Sequence, residues 1–332
     1  MIRTISILLM SCLLFACEAD FDVFREKEST PVVYCLLDQD KDIQTLRLSR
    51  SYVSYAASIP PASDDSILLS RALDIALEQV NGTVVEKRAF FKALEIQKDS
   101  GFFPNTQHWI YQTNMAILPN TRYNLIVYLN EDDKIVYSTC TTITPFKIKN
   151  PLYPEVREIQ FQTSHNPQFF WTKSINAGVF QVGFILHYKE YSGDSFEQKE
   201  LNLSFNTTFT AENPGNFFNQ SINSNQFYIK LNNQIPNDQT VLRKFDSLDA
   251  YIIGGGVELA HLIRLQTSGQ TFSLMEFTNV YNGIGIFSSR LSRRVNGFGL
   301  TKQTIDSLAY GSYTYDLNFL DRNGVREEGG GE

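Results

Sequence analysis

The chain is predicted to be all-β, folded as two β-sandwich-like domains, the second strand-rich with one short helix. Three observations carry that prediction. Apolar residues alternate with period two over successive short runs, and Pro, Gly, Asn and Asp punctuate those runs at short intervals. The aromatic content, 25 Phe and 16 Tyr in 332 residues, suits the pleated, half-buried surface of strands. With 42% hydrophobic residues there is enough apolar surface to bury a core in each of two domains of ordinary size.

The first element is not part of the fold. Met1, Ile2 and Arg3 make a cationic start, and Ile5 to Phe15 make an apolar run of 11 residues. A stable spanning helix needs roughly 20 such residues, so the run reads as a removed secretory signal, residues 1–16. It ends in Leu14-Phe15-Ala16-Cys17, which resembles the lipobox of bacterial lipoproteins. That resemblance implies cleavage before Cys17 and acylation of its sulfur. Each buried methylene contributes about 0.8 kcal/mol, so one acyl chain binds marginally while two or three hold a protein on a membrane. Residues 17–30 then form an acidic tether. Its opening, Glu18-Ala19-Asp20-Phe21-Asp22, resembles the export signal that sends Bacteroidetes lipoproteins to the outer face of the outer membrane. The expected location is therefore the outer membrane, facing the cell exterior.

Without residues 1–16 the chain carries 28 Lys and Arg against 36 Asp and Glu, a formal charge of −8. A nucleic-acid partner is not expected, because phosphate binding needs a basic face to release counterions. The compact basic group Arg290, Arg293 and Arg294 reads as a solvated strand face.

The first domain is assigned to residues 31–145. Pro31 to Leu37 is a short apolar run, Ile43 to Arg50 alternates with Leu46 and Leu48 on one side, and Leu73, Ile75 and Leu77 alternate after a Pro- and Ser-containing loop. Leu118-Pro119-Asn120-Thr121-Arg122-Tyr123 is similar to a fibronectin type III pattern, which makes this domain immunoglobulin- or fibronectin III-like. In such sandwiches the tyrosine folds back onto upstream backbone as a tyrosine corner, a structural role assigned here to Tyr123. Tyr123, Leu125, Val127 and Leu129 then face one side, residues 130–133 turn, and Lys134 to Thr142 returns as the last strand.

Two prolines, two lysines and little apolar surface mark 146–154 as a linker. The second domain, 155–325, reads as strands at Val156 to Phe161, Gln168 to Thr172, Val179 to Tyr188, Glu200 to Thr208 and Gln226 to Leu231. Its one helix is Val257 to Gln266, with Val257, His261 and Leu265 at helical spacing, and 326–332 is a disordered tail.

Cys35 and Cys140 remain once the signal and the lipid have taken the other two cysteines. In an oxidising compartment they could close a loop of 105 residues, or stay as two separately buried thiols. No catalytic residue, metal site or cofactor is predicted. His108, His165, His187 and His261 are scattered, without the close partners of a zinc site. Gly254-Gly255-Gly256 lacks the Lys-Ser/Thr of a phosphate-binding loop and reads as an ordinary loop. Asp64-Asp65 and Glu131-Asp132-Asp133 match no calcium-loop spacing. Ser66, Ser247 and Ser307 lie in Asp-Ser-aliphatic triplets that look like Bacteroidetes O-glycosylation acceptors.

Val32 to Leu37, Leu46 to Arg50, the tyrosine strand at 118–127, Leu248-Asp249-Ala250-Tyr251 and Asn279-Val280-Tyr281-Asn282-Gly283-Ile284-Gly285-Ile286-Phe287 together resemble the Bacteroidetes outer-membrane lipoprotein family known as domain of unknown function 4249. Gly283 and Gly285 read as a tight turn or close backbone approach feeding a buried Phe287. The resemblance implies a non-enzymatic surface lipoprotein, held in the outer membrane by lipid on Cys17. Its expected partner is a TonB-dependent transporter of the starch-utilisation type. Two alternatives stand beside it: a stand-alone glycan- or peptide-binding module, with Phe102-Phe103, Trp109 and Phe217-Phe218 as candidate contacts, and a hydrolase.

Overall fold

The computed structural model describes residues 30–51, 74–96, 108–129, 134–152, 154–212, 215–267 and 277–326. The signal, Cys17 and nearly all of the tether, Asp64-Asp65, Ser66, Phe102-Phe103, the turn at 130–133 and the tail from 327 lie outside the described residues.

The fold is all-β and sandwich-like. Eight strands precede the expected linker: β1 (Pro31–Asp38), β2 (Gln44–Arg50), β3 (Asp74–Asn81), β4 (Val84–Phe90), β5 (Lys92–Ile96), β6 (His108–Thr113), β7 (Arg122–Tyr128) and β8 (Ile135–Thr141). β9 (Ile148–Asn150) forms within that linker, and eight follow: β10 (Glu158–Ile159), β11 (Gln168–Thr172), β12 (Ala177–Ser192), β13 (Ser195–Phe209), β14 (Phe217–Ser221), β15 (Leu242–Gly256), β16 (Val280–Tyr281) and β17 (Ile284–Leu300). Three α-helices occur among the described residues, α1 (Ser224–Gln234), α2 (Val257–Thr267) and α3 (Lys302–Tyr310), where one was expected.

The first sandwich packs a five-stranded sheet, order β16-β8-β7-β3-β4, against the β1-β2-β6-β5 end of a nine-stranded sheet. Period-two alternation sends Ile75, Leu77, Leu125 and Val127 from one layer and Val33, Leu37, Leu46 and Leu48 from the other into a shared core. The chain passes between layers at Phe91, whose N–H donates to the Ile75 carbonyl at 2.8 Å. Tyr123 is fully buried, and its hydroxyl accepts from the Leu118 N–H at 2.9 Å, which is the expected tyrosine corner.

The second core lies under the β13-β12-β15-β17 end of the large sheet. Phe180, Val182, Phe184 and Leu186 project from β12, and the β14-β11-β9 sheet with α1 and α3 covers them. Phe161 and Phe227 stack at 3.9 Å within it.

Several expectations are corrected. The segment 226–231, read as a strand, belongs to α1: the Asn223 side chain accepts from the Asn225 and Gln226 N–H groups and starts a helix. That helix buries Phe227, Tyr228 and Leu231, a helical spacing. Residues 254–256 are not a loop but the buried end of β15. The helix at 257 forms, yet it buries Ala260 against Gly178 while Val257 and His261 stay exposed. Of the two readings left open for Cys35 and Cys140, the structure has the free, buried thiols, both in one core.

The linker at 146–154 does not divide the chain into self-contained units. The 17-residue strand β17 runs through both halves. Its beginning pairs parallel with β1, Val32 opposite Ile284 through Asp38 opposite Arg290, and its remainder pairs antiparallel with β15. Val280 and Phe287 fill the first core, whereas Leu291 and Phe298 fill the second. Local composition marks where packing is thin; a parallel pairing between residues some 250 positions apart leaves no local mark.

Candidate docking surface

In a two-layer antiparallel sandwich the outward positions of each strand are expected to be polar. The outer face of the five-stranded sheet breaks that rule along one line. The registers place Phe90, Ala76, Ile126, Tyr137 and Tyr281 side by side, one from each of the five strands. Nearer the strand ends, Tyr128 and Ile135 pair on the same face. Phe90 is 54% exposed, Ile135 45% and Tyr281 75%, Ile126 and Tyr137 are half-buried and Ala76 is buried, so large apolar side chains meet water on four of the five strands.

The next row inward is polar and internally satisfied. Arg88 Nε donates to Glu78 Oε1 at 2.7 Å, and Asn124 Nδ2 reaches Glu78 Oε2 at 3.5 Å. The Tyr137 hydroxyl donates to Asn124 Oδ1 at 2.9 Å, which fixes the ring that the apolar row presents. Shallow grooves end the row on both sides. One, about 520 Å³, is lined by Tyr137, Thr139, Thr278, Val280, Tyr281 and Asn282; the other, about 420 Å³, by Ile43, Phe90, Ala93, Leu94 and Gln112.

Tyr281 is held on a rigid corner. Asn282 adopts φ +56° and its Nδ2 donates to the Ile135 carbonyl at 2.8 Å. Asn279 pins the corner from below, accepting from the Phe287 N–H at 3.0 Å and donating to the Phe287 carbonyl at 2.6 Å. Gly283 and Gly285 are the close approaches anticipated: a Cβ would lie 3.0 Å from the Pro31 carbonyl oxygen at the first and 1.9 Å from that of Val33 at the second. Phe287 is fully buried opposite Cys35. The chain enters β1 at this same corner, where Thr30 and Ser51 bind each other, Thr30 N–H to Ser51 Oγ at 3.0 Å and Ser51 N–H to the Thr30 carbonyl at 2.8 Å.

Two other groups were assembled by the fold. On the outer face of the large sheet, His187 Nε2 lies 2.9 Å from Asp249 Oδ2 and its Nδ1 lies 3.2 Å from Glu200 Oε1. Arg294 pairs with Asp249, and the Gly297 N–H donates to it at 2.7 Å. Burial alone would raise the Asp249 carboxyl, but the Arg294 guanidinium, the Gly297 amide and His187 outweigh it and hold it below the usual range. On the small sheet, Phe170 and Phe217, 37% and 50% exposed, stack at 5.3 Å with Gln168 and Asn219 on the same face.

The remaining predicted residues are scattered over the fold. Trp109 is half-buried against the first core, Phe218 is fully buried, and His261 packs on Phe277 at 4.9 Å. His165 is exposed in a turn and His108 begins β6. No group of three or more His, Cys, Asp or Glu able to hold a metal ion occurs among the described residues. The helix end beside Gly256 carries its own carboxylate, Glu258, which accepts from Ser288 Oγ at 2.8 Å. Arg290 pairs with Asp38 at the end of β1 at 2.8 Å, and Arg293 with Asp40 in the turn after it at 3.0 Å. Ser247 lies half-buried in β15 and Ser307 half-buried in α3.

No known protein-family model matches the chain, and no curated protein is similar to it.

The sequence reading did not find the apolar row, whose members come from residues 76, 90, 126, 137 and 281. A signal was present: Tyr123-Asn124-Leu125-Ile126-Val127-Tyr128 is apolar at outward as well as inward positions, which an ordinary half-solvated strand is not.

Proposed function

We propose that this chain is a non-enzymatic outer-membrane lipoprotein, held by lipid on Cys17 and facing the cell exterior. The part of its apolar row from Phe90 to Tyr137 docks on a membrane-integral partner, a TonB-dependent transporter as the family resemblance implies. The observation that carries the reading is the place of the row, beside the corner where the chain emerges from the tether. An exposed band of fixed aromatic and branched side chains gives the buried anchors that protein interfaces rely on, and a satisfied polar row bounds it.

The His187 cluster does not form a nucleophile–base pair. Both ring nitrogens face carboxylates, so neither is left to serve as base to Ser247, which lies opposite His187 in register. The stacked Phe170–Phe217 pair, flanked by amide side chains, favours a second reading as a glycan-binding module.

Affinity purification from native membranes in mild detergent tests the first reading. Wild type is expected to bring down an integral β-barrel protein, and Ile126→Asp or Phe90→Glu to lose it. Recovery of the monomer alone from wild type, or equal recovery with both variants, would refute the docking role; sugar-dependent quenching or binding abolished by Phe217→Ala would favour the second.

A further inference from the structure

The strand ends that carry Tyr281 are also where the chain begins its fold. From Cys17 to Thr30 there are 13 residues, which at full extension reach no more than about 45 Å. The strand β17 starts at this end with Ile284 and runs 17 residues, roughly 55 Å, toward the far end of the large sheet. Beyond its far end, the β12–β13 hairpin extends further still, since Tyr191 pairs with Phe196 and Leu242 past the last β15–β17 pairs. With the long strands upright, a tether of that length anchored at the near end cannot turn the far end toward the leaflet, so the upright molecule presents its near end.

The near end is suited to an interface between lipid and water. Tyr128, Ile135 and Tyr281 are 39%, 45% and 75% exposed there, around a corner that Asn279, Asn282 and the two glycines hold rigid. Tyrosine places an apolar ring and a polar tip at headgroup depth. Arg50, Asp74 and Lys134 are the charged side chains at the described strand ends beside them, and the sequence joining β7 to β8 at this pole adds the acids Glu131, Asp132 and Asp133, so a zwitterionic headgroup layer suits it better than an anionic one.

We propose that this strand-end pole rests on the lipid headgroup layer, with Tyr281 and Ile135 inserted at the interface and the long strands standing away from the membrane. The proposal rests on the lipid-anchor reading above, and it fixes which side of the apolar row a membrane-integral partner meets.

The full-length lipidated protein, reconstituted in phosphatidylcholine vesicles with shallowly brominated acyl chains, tests it by fluorescence. The two native tryptophans, Trp109 and Trp171, are subtracted with the wild-type signal. Tyr281→Trp and, as a second reporter should the first misfold, Ile135→Trp are expected to be quenched relative to unbrominated vesicles. Phe196→Trp, on the far hairpin, is expected to be unaffected. If the near-end reporters are unquenched, or Phe196→Trp is quenched instead, while mass spectrometry shows an acylated Cys17 and the protein floats with the vesicles, the orientation is overturned and the anchor stands. If the amino terminus carries no lipid and the protein does not float, the anchor reading falls and takes the orientation with it.

Discussion

At residue 285 the backbone has φ +124°, and a Cβ would press to 1.9 Å from the Val33 carbonyl oxygen. Such a side chain could be fitted only by moving β17 away from β1, so Gly285→Ala is expected to cost more than about 3 kcal/mol. Gly82 gives the contrast. It also has positive φ, +60°, but nothing lies within 4 Å of its missing Cβ, so Gly82→Ala should lose only about 1 kcal/mol. Urea denaturation of the two variants checks this, and similar midpoints would contradict it. The buried thiols supply a pH-dependent case. Burial pushes Cys35 from 9.0 up to about 12, and Cys140 also moves up, through burial first and then the nearby Glu258 charge and Cys35. Below pH 9.0 both folded and unfolded thiols keep their protons and the full stability is present. Above it the unfolded chain ionises first, so stability falls until the folded pKa near 12 is passed. The wild-type stability is therefore expected to fall faster than that of Cys35→Ala over this window, by up to about 1.4 kcal/mol per pH unit. Parallel pH profiles would show the thiol to be less buried than described. At this scale much was legible: the proline-to-tyrosine spacing at 119–123 foretold the Tyr123 corner, because that hydrogen bond closes over five residues of chain.

At the scale of elements, alternation located the strands wherever one face packs and the other meets water, as in β2, where Leu46 and Leu48 are buried and Arg47 is exposed. It failed where helix and strand patterns overlap. Within 226–231 the residues Phe227, Tyr228 and Leu231 satisfy either reading, and the outcome turned on Asn223, whose side chain takes two of the N–H groups left unpaired at a helix start. The helix at 257 shows the converse. Its existence was readable, but the face it buries was not, because Ala260 is drawn in by the missing Cβ of Gly178 on a strand some 80 residues earlier. Burial of a small residue against a glycine leaves no hydrophobic stripe.

For the whole molecule the main consequence is dependence between halves. The first core contains Val280 and Phe287, and β1 has β17 as its parallel neighbour. A fragment of residues 30–145 would expose that edge of β1 and leave the space of Phe287 unfilled, at a cost of about 3–5 kcal/mol for the ring alone. It is expected to lack a cooperative urea transition, whereas the full chain unfolds with both cores; circular dichroism distinguishes the two, and a stable, cooperative fragment would show the shared strand to be dispensable. The same sharing explains why the apolar row went unread: its fifth member, Tyr281, is delivered to the first sandwich from the far side of the second.

From residue order alone it follows that this protein is built of strands, that two apolar cores form, and that Tyr123, Gly283, Gly285 and Phe287 are structural. These conclusions rest on period-two burial and on steric limits within a few residues of chain. Three-dimensional packing settled the rest: one sheet serves both cores, the two cysteines share a core as free thiols, and five separate segments align one apolar band. Strand neighbours are chosen by packing summed over the whole chain against the entropy of closing long loops, and no window of local sequence contains that sum.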